Sequence, residues 1–214
     1  RMANMAQENL DHAIHGFLNQ SNEFVDKVYH REEDINNVSH AITDYLVKSN
    51  QLSLPLADQK ILGSMFYVVN DIERIGDHAE NFADYTKTEI KHNTGLTGDA
   101  KEEIKKMYTA VSKLLKLSLE CFMEQDGVNK PEDKLAEIAI LEASIDKMER
   151  RYQKHHIKRL AKGECEPRAG LLFSDMLSEL ERIADHSVNI AYSMSDEDED
   201  EILAAENEAL TAKN

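Results

Sequence analysis

Two pairs of carboxylates stand out by their spacing. Glu73 and Asp77 are four residues apart, and so are Glu181 and Asp185. On a helix that interval puts both acids of a pair on one face, about a turn apart, where like charges repel by a few tenths of a kcal/mol. A bound cation, or facing Arg and Lys side chains, would offset the repulsion. Glu142 and Asp146 form another such pair, with Glu32 and Asn36 as its counterpart. If antiparallel helices face each other, Glu32, Asn36, Glu73 and Asp77 gather in one place and Glu142, Asp146, Glu181 and Asp185 in another. Oxygen-rich sites of this type suit a divalent Fe, Mn, Mg or Ca, with Zn and Ni also open. The plainer alternative is a solvated acidic face with intrahelical ion pairs to Arg74 and Arg182. The second set holds four carboxylates against three and an amide, so it is expected to bind a cation more tightly.

These pairs sit inside a repeat. Residues 71–83 align without gaps on 179–191, and from 73 and 181 onward Glu, Arg, Ile, Asp, His, Asn and Ala recur at seven positions of eleven. Asn70, Glu73, Asp77, Asn81 and Asp84 make one polar stripe. Beside it Ile72, Gly76, Ala79 and Ala83 make a stripe of mostly small residues. Gly76, or Ala184 in the second copy, would let a neighbouring helix bring its side chains close to the carboxylates. His78 and His186 lie about 100° round the helix from the adjacent Asp, which favours hydrogen-bonded packing over ligation.

Glu89-Ile-Lys-His92 has the spacing used in di-iron bundles, but the sixth helix has no equivalent. His155 and His156 lie among Lys154, Lys158 and Arg159. That basic cluster could meet an anion or lipid head group, and it reads first as balancing nearby Glu side chains. No Gly-rich phosphate loop, nucleophile elbow or Cys/His zinc spacing appears, so no catalytic residue is expected.

The elements that must position these groups follow from composition and period. Gly and Pro together number 11 in 214 residues, too few for a turn-rich sandwich or barrel. Lys plus Arg is 25 against 41 Asp plus Glu, a formal charge of −16, which argues against a nucleic-acid partner. Cys121 and Cys165 cannot make a disulfide framework. No run approaches the ~18 apolar residues of a membrane span.

Apolar periodicity predicts six helices. The first covers about 2–20 with Leu10, Ile14 and Phe17 inward. Ser21 and Asn22 break and re-cap the chain before a second helix carrying Val25, Val28, Ile35 and Leu46. The third follows Pro55, and the fourth ends at Asp126-Gly127. The fifth begins at Pro131, and the sixth follows the break at Gly163–Pro167. The expected fold is all-α: two antiparallel three-helix bundles in tandem, over 1–92 and 100–194, joined by a linker at 93–99. Residues 195–214, with eight acids and one base, read as a solubilising acidic tail.

Glu73-Arg-Ile-Gly-Asp-His78 and Glu181-Arg-Ile-Ala-Asp-His186, each closing a three-helix unit, resemble the PhoU family of bacterial phosphate regulators. Glu142-x-x-Ile-Asp146 and Glu32-x-x-Ile-Asn36 match that family's second-helix motif, Asn36 departing from the usual acid. Residues 70–81 and 156–167 look more narrowly like the cytoplasmic C-terminal domain of bacterial sodium/phosphate cotransporters. An opening at Arg1 agrees with a cut after a membrane region.

The resemblance implies a non-enzymatic regulatory domain at the cytoplasmic face of the inner membrane. Its partner would be the membrane domain of a phosphate transporter, in cis or in trans, and a homodimer is open to it. It also implies multinuclear metal clusters, with Fe first, held by the carboxylate helices. The alternatives are a free-standing PhoU protein that contacts an ATP-driven phosphate importer and its sensor kinase, and a metal-dependent carboxylate-bundle enzyme.

Overall fold

Apolar residues spaced three and four apart along the whole chain have one economical solution, which is helices that bury a stripe against one another. The computed structural model describes residues 1–92, 95–124 and 131–194. Six α-helices run in chain order: α1 Met2–Asn19, α2 Asn22–Ser49, α3 Leu56–His92, α4 Gly98–Glu124, α5 Glu132–Ala161 and α6 Pro167–Tyr192. Among the described residues there is no strand. No helix among them is long and apolar enough to cross a membrane. The acidic stretch 195–214, residues 93–94 of the expected linker and the Asp126-Gly127 break lie outside the described residues.

α1, α2 and α3 pack on one another, as do α4, α5 and α6, and α3 meets α6 along the seam between the two sets. The cores are those the periodicity implies. Leu10, Ile14, Phe17, Val28, Ile35, Ile75 and Phe82 are buried in the first set, and Ile104, Met107, Leu114, Ile138, Ile145, Phe173 and Leu180 in the second. Asn9 is an unexpected polar member, and its side-chain amide donates to the Val28 carbonyl at 3.3 Å.

The chain reversals are made chiefly by backbone. Ser21 does occupy the N-cap of α2, but its side chain makes no capping bond. The reversal instead passes through Gln20 in the left-handed region, φ 53°, with the Ser21 N–H returning to the Gly16 carbonyl at 2.9 Å. Gly16 is needed there because a Cβ would lie 2.9 Å from that of Phe24. The second hairpin uses Gly163 at φ +70°, with the Glu164 N–H reaching the Arg159 carbonyl at 2.9 Å, and Pro167 opens α6.

Glu89 has a structural task. It is fully buried, accepts the Leu96 N–H at 3.4 Å and pairs with Lys101 at 3.9 Å, tying the end of α3 to the start of α4. His92 stays exposed, so the two ends of Glu89-Ile-Lys-His92 point to different surroundings.

Candidate functional site

On α3 the small-residue stripe of Ile72, Gly76, Ala79 and Ala83 is buried, and α2 lies against it. Glu32 of α2 sits directly over Gly76. A Cβ at position 76 would stand 2.6 Å from Glu32 Oε2. The glutamate is only 4% exposed, and among the described residues neither of its oxygens has a hydrogen-bond partner. Burial, then the negative charges of Asp77, Glu80 and Glu73, push its carboxyl up to about 8. Glu73, Asp77 and Glu80 of α3 are thus near enough for their charges to act on Glu32. Asp77 also pairs with Arg74 at 3.2 Å, as a solvated face would have it. Asn36, a turn further along α2, is half-buried.

The second copy is looser. Glu181 is pushed up by desolvation and by Asp185, Glu149 and Asp146; Asp185 is pushed up by desolvation and Asp146, with His186 opposing. Asp146 of α5 thus faces the α6 pair, while binding Arg150 at 3.1 Å. Glu149 takes part, which the spacing did not suggest. Glu142, a turn before Asp146 on α5, is half-buried.

These carboxylates fit a hard cation in donor type and in charge, most clearly around the unsatisfied Glu32. Among the described residues, however, no three His, Cys, Asp or Glu side chains already converge as a metal cage. Binding an ion would need side-chain rotation toward it.

Beside the acid stripes, α3 and α6 cross through a reciprocal set of hydrogen bonds. His78 Nδ1 meets Glu179 Oε2 at 2.5 Å, and His186 Nδ1 meets Asp71 Oδ1 at 2.9 Å. The two imidazole rings stand 5.4 Å apart. Asn81 donates to Glu179 Oε2 at 3.0 Å, Tyr85 to Oε1 at 3.3 Å, and Arg182 stands 3.9 Å away. Burial alone would raise the Glu179 carboxyl, but the bonds from His78 and Asn81 and the charges of His78 and Arg182 hold it below the ordinary range. The histidines are packing residues, as their position implied. Asp71 and Glu179 escaped the sequence reading although the repeat contains the signal: an acid stands seven residues before the histidine in both copies.

On the far side, His155 and the largely buried Arg159 both turn to Glu103 of α4, at 2.6 and 2.8 Å. That part of the basic cluster balances an acid.

The family model described as PhoU domain matches residues 1–86 and 104–194, one match on each set of three helices. A phosphate-specific transport system accessory protein PhoU homolog from Synechocystis sp. is 27% identical over 175 residues, covering 79% of this chain and 72% of that protein. Among solved structures, PhoU from Pseudomonas aeruginosa superposes with a TM-score of 0.79 at 21% identity, covering 90% of both chains. The phosphate transport system regulatory protein PhoU from Streptococcus pneumoniae gives 0.77 at 21% identity, covering 90% of this chain and 87% of that one.

Proposed function

Because this chain belongs to the PhoU family, we propose that it regulates phosphate transport by contact with transport components and without catalytic turnover. The observation that carries this reading is the doubled match, one on each three-helix set, with the acid stripes at equivalent places in both. A free-standing regulator acting in trans on an ATP-driven importer and its sensor kinase comes first. It is supported by the Synechocystis relative, which is named as an accessory protein of a phosphate-specific transport system. Attachment in cis to a sodium/phosphate cotransporter rests on the likeness of residues 70–81 and 156–167 and stands second.

A divalent cation would be held by Glu32, Asn36, Glu73 and Asp77 in the first half, with Glu80 beside them, and by Glu142, Asp146, Glu181 and Asp185 in the second, with Glu149 beside them. It would supply positive charge to acids that now crowd one another. Iron is the metal the family resemblance suggests. A carboxylate-bundle enzyme is the weakest reading, since Glu89 is committed to the α3–α4 connection.

The test is complementation. Expressed in a bacterium lacking its own PhoU, the chain is expected to restore phosphate-dependent repression of a starvation reporter and to crosslink to the importer. No restoration, together with crosslinking to a cotransporter membrane domain alone, would move the second reading to first place. Failure of both would overturn the proposal.

A further inference from the structure

The C-terminal half of α5 is out of character with the rest of the molecule. Residues 147–162 carry seven Lys and Arg against one acid, in a chain of net charge −16. The corresponding stretch of α2, residues 37–52, carries one Lys and one Asp. The cationic run is therefore a property of the second half alone, outside what the duplication supplies.

At about 100° per residue, Lys147, Arg150, Arg151, Lys154, Ile157 and Lys158 fall within roughly 120° of one another on the helix. All six are exposed, while Ile145, Tyr152, His156 and Arg159 fill the opposite, buried face. Arg150 pairs with Asp146, and Arg151 lies over the Tyr152 ring. Among the described residues Lys147, Lys154 and Lys158 have no acidic partner. The stripe includes one large aliphatic side chain, Ile157, 62% exposed, and the first turns of the neighbouring α6 expose another, Leu171 at 66%.

We propose that this face of α5, with the neighbouring end of α6, docks on the surface of an anionic phospholipid bilayer. Charge complementarity selects an anionic partner, and the stripe is roughly 17 Å long at 1.5 Å per residue. That exceeds the ~8 Å screening length at physiological ionic strength, so the stripe attracts anions locally despite the acidity of the whole. A small anion is the poorer fit. The adjoining cleft of about 340 Å³ commits Arg159 and His155 to Glu103 and also exposes Asp99 and Glu102. A nucleic-acid backbone would use the cations but gain nothing from Ile157 and Leu171. A head-group layer uses both, since lysines reach the phosphates while the aliphatic groups enter the acyl boundary. The surface does not depend on the phosphate-regulator reading.

The experiment is vesicle flotation with the purified 214-residue chain. Phosphatidylglycerol-rich vesicles should carry the protein at low salt, and vesicles of phosphatidylcholine alone should not. Reversing four charges (Lys147→Glu, Arg151→Glu, Lys154→Glu, Lys158→Glu) should weaken binding by about a hundredfold or more, given the attraction per basic residue at an anionic surface. Ile157→Ser with Leu171→Ser should weaken it by about tenfold and leave the remainder more salt-sensitive. All these side chains are exposed, and circular dichroism would check that each variant stays helical. The milder Lys154→Gln, Lys158→Gln pair should show a smaller loss of the same kind. Absence of binding to anionic vesicles would overturn the proposal, as would binding that survives charge reversal, or heparin binding without vesicle binding. None of these results involves a phosphate transporter, so they leave the proposed function standing or falling on its own test.

Discussion

His78 on α3 and Glu179 on α6 meet at 2.5 Å across the seam between the two three-helix sets, and the same two repeat positions meet again in the opposite sense as His186 and Asp71. Residue 71 lies near 186 and residue 78 near 179, so α3 and α6 run antiparallel where they cross. The exchange is that of a pseudo-two-fold axis, with a duplicated acid and a duplicated histidine each serving the other copy. His78 follows Asp77, and Glu179 stands two residues before Glu181. The seam and the acid stripes are thus built from neighbouring positions of the same two helices.

Glu179 accepts bonds from three side chains, so its removal should cost more than that of Asp71, which among the described residues serves only His186. Glu179→Ala leaves His78, Asn81 and Tyr85 without their acceptor, a loss of about 1–3 kcal/mol. For a chain of this size that corresponds to a fall in Tm of roughly 3–10 °C. Asp71→Ala should fall by less, because His186 is the more exposed histidine. Thermal unfolding followed by circular dichroism reads the difference, and equal effects would mean the seam is not organised around Glu179.

The same carboxylate sets a limit at acid pH. The folded protein holds Glu179 below its ordinary value of 4.5. Its contribution is therefore complete above that value and is lost as pH falls through the lower folded-state one. The parent should lose stability more steeply below pH 4.5 than Glu179→Gln does, as measured by urea unfolding across the acid range.

Glu32 works in the opposite direction. Its folded-state value is raised to about 8, against 4.5 for an ordinary glutamate. Between those values the folded state holds the extra proton, so stability falls as pH rises from 5 to 8. Glu32→Gln removes the titration and keeps the shape. It should stabilise the protein at pH 8 by about 2–4 kcal/mol relative to its effect at pH 5, the scale set by 1.36 kcal/mol per pKa unit. An unchanged difference between the two pH values would mean that Glu32 is hydrated rather than buried.

Glu103 offers a test away from the acid stripes. It is largely buried and holds both Arg159 and His155. Glu103→Ala leaves the Arg159 guanidinium enclosed without its counter-charge, a loss expected at about 2–4 kcal/mol. Chemical denaturation should show it as a lower midpoint with an unchanged slope.

Much of this was open to reading in the sequence. Stripes at three- and four-residue spacing gave all six helices, because each helix buries one face and the chain has few breakers. The small-residue stripe marked Gly76 as a point of close approach, and Glu32 fills it. What escaped reading depends on partners distant in the chain. Glu179 lies 101 residues from His78, and no local period specifies that one will face the other. The α1–α2 reversal was hidden because Gln20, a residue with little turn preference, adopts the left-handed conformation while the better capping residue, Ser21, makes no cap. Glu149 was not singled out because the motif spacing pointed to Glu142 and Asp146, whereas the packing of α5 on α6 also brings Glu149 toward Glu181.

The final expectation concerns which half binds a cation better. Counting carboxylates favoured the second set, but the structure gives a reason to expect the reverse. In the first half Glu32 is enclosed, unsatisfied and pressed by three other acids, so an ion there would relieve the larger penalty; each half also has one acid paired with an arginine, Asp77 with Arg74 and Asp146 with Arg150, so the difference rests on Glu32. Titration with Mn(II) at pH 8 should raise Tm in the parent and in Asp185→Asn, and much less in Glu32→Gln or Asp77→Asn. Gly76→Ala supplies the sharper comparison. Its new Cβ would displace the Glu32 carboxylate, 2.6 Å away, while the helix gains up to about 1 kcal/mol from the better helix former. What must move is the far end of a flexible side chain, and a buried alanine, Ala184, stands at the equivalent place in α6. Gly76→Ala should therefore keep its Tm in the absence of metal and lose most of the Mn(II)-induced rise. Calorimetry showing no Mn(II) binding to the parent, with Tm unmoved, would leave the acids as a crowded solvated face and Glu32 as a protonated packing residue.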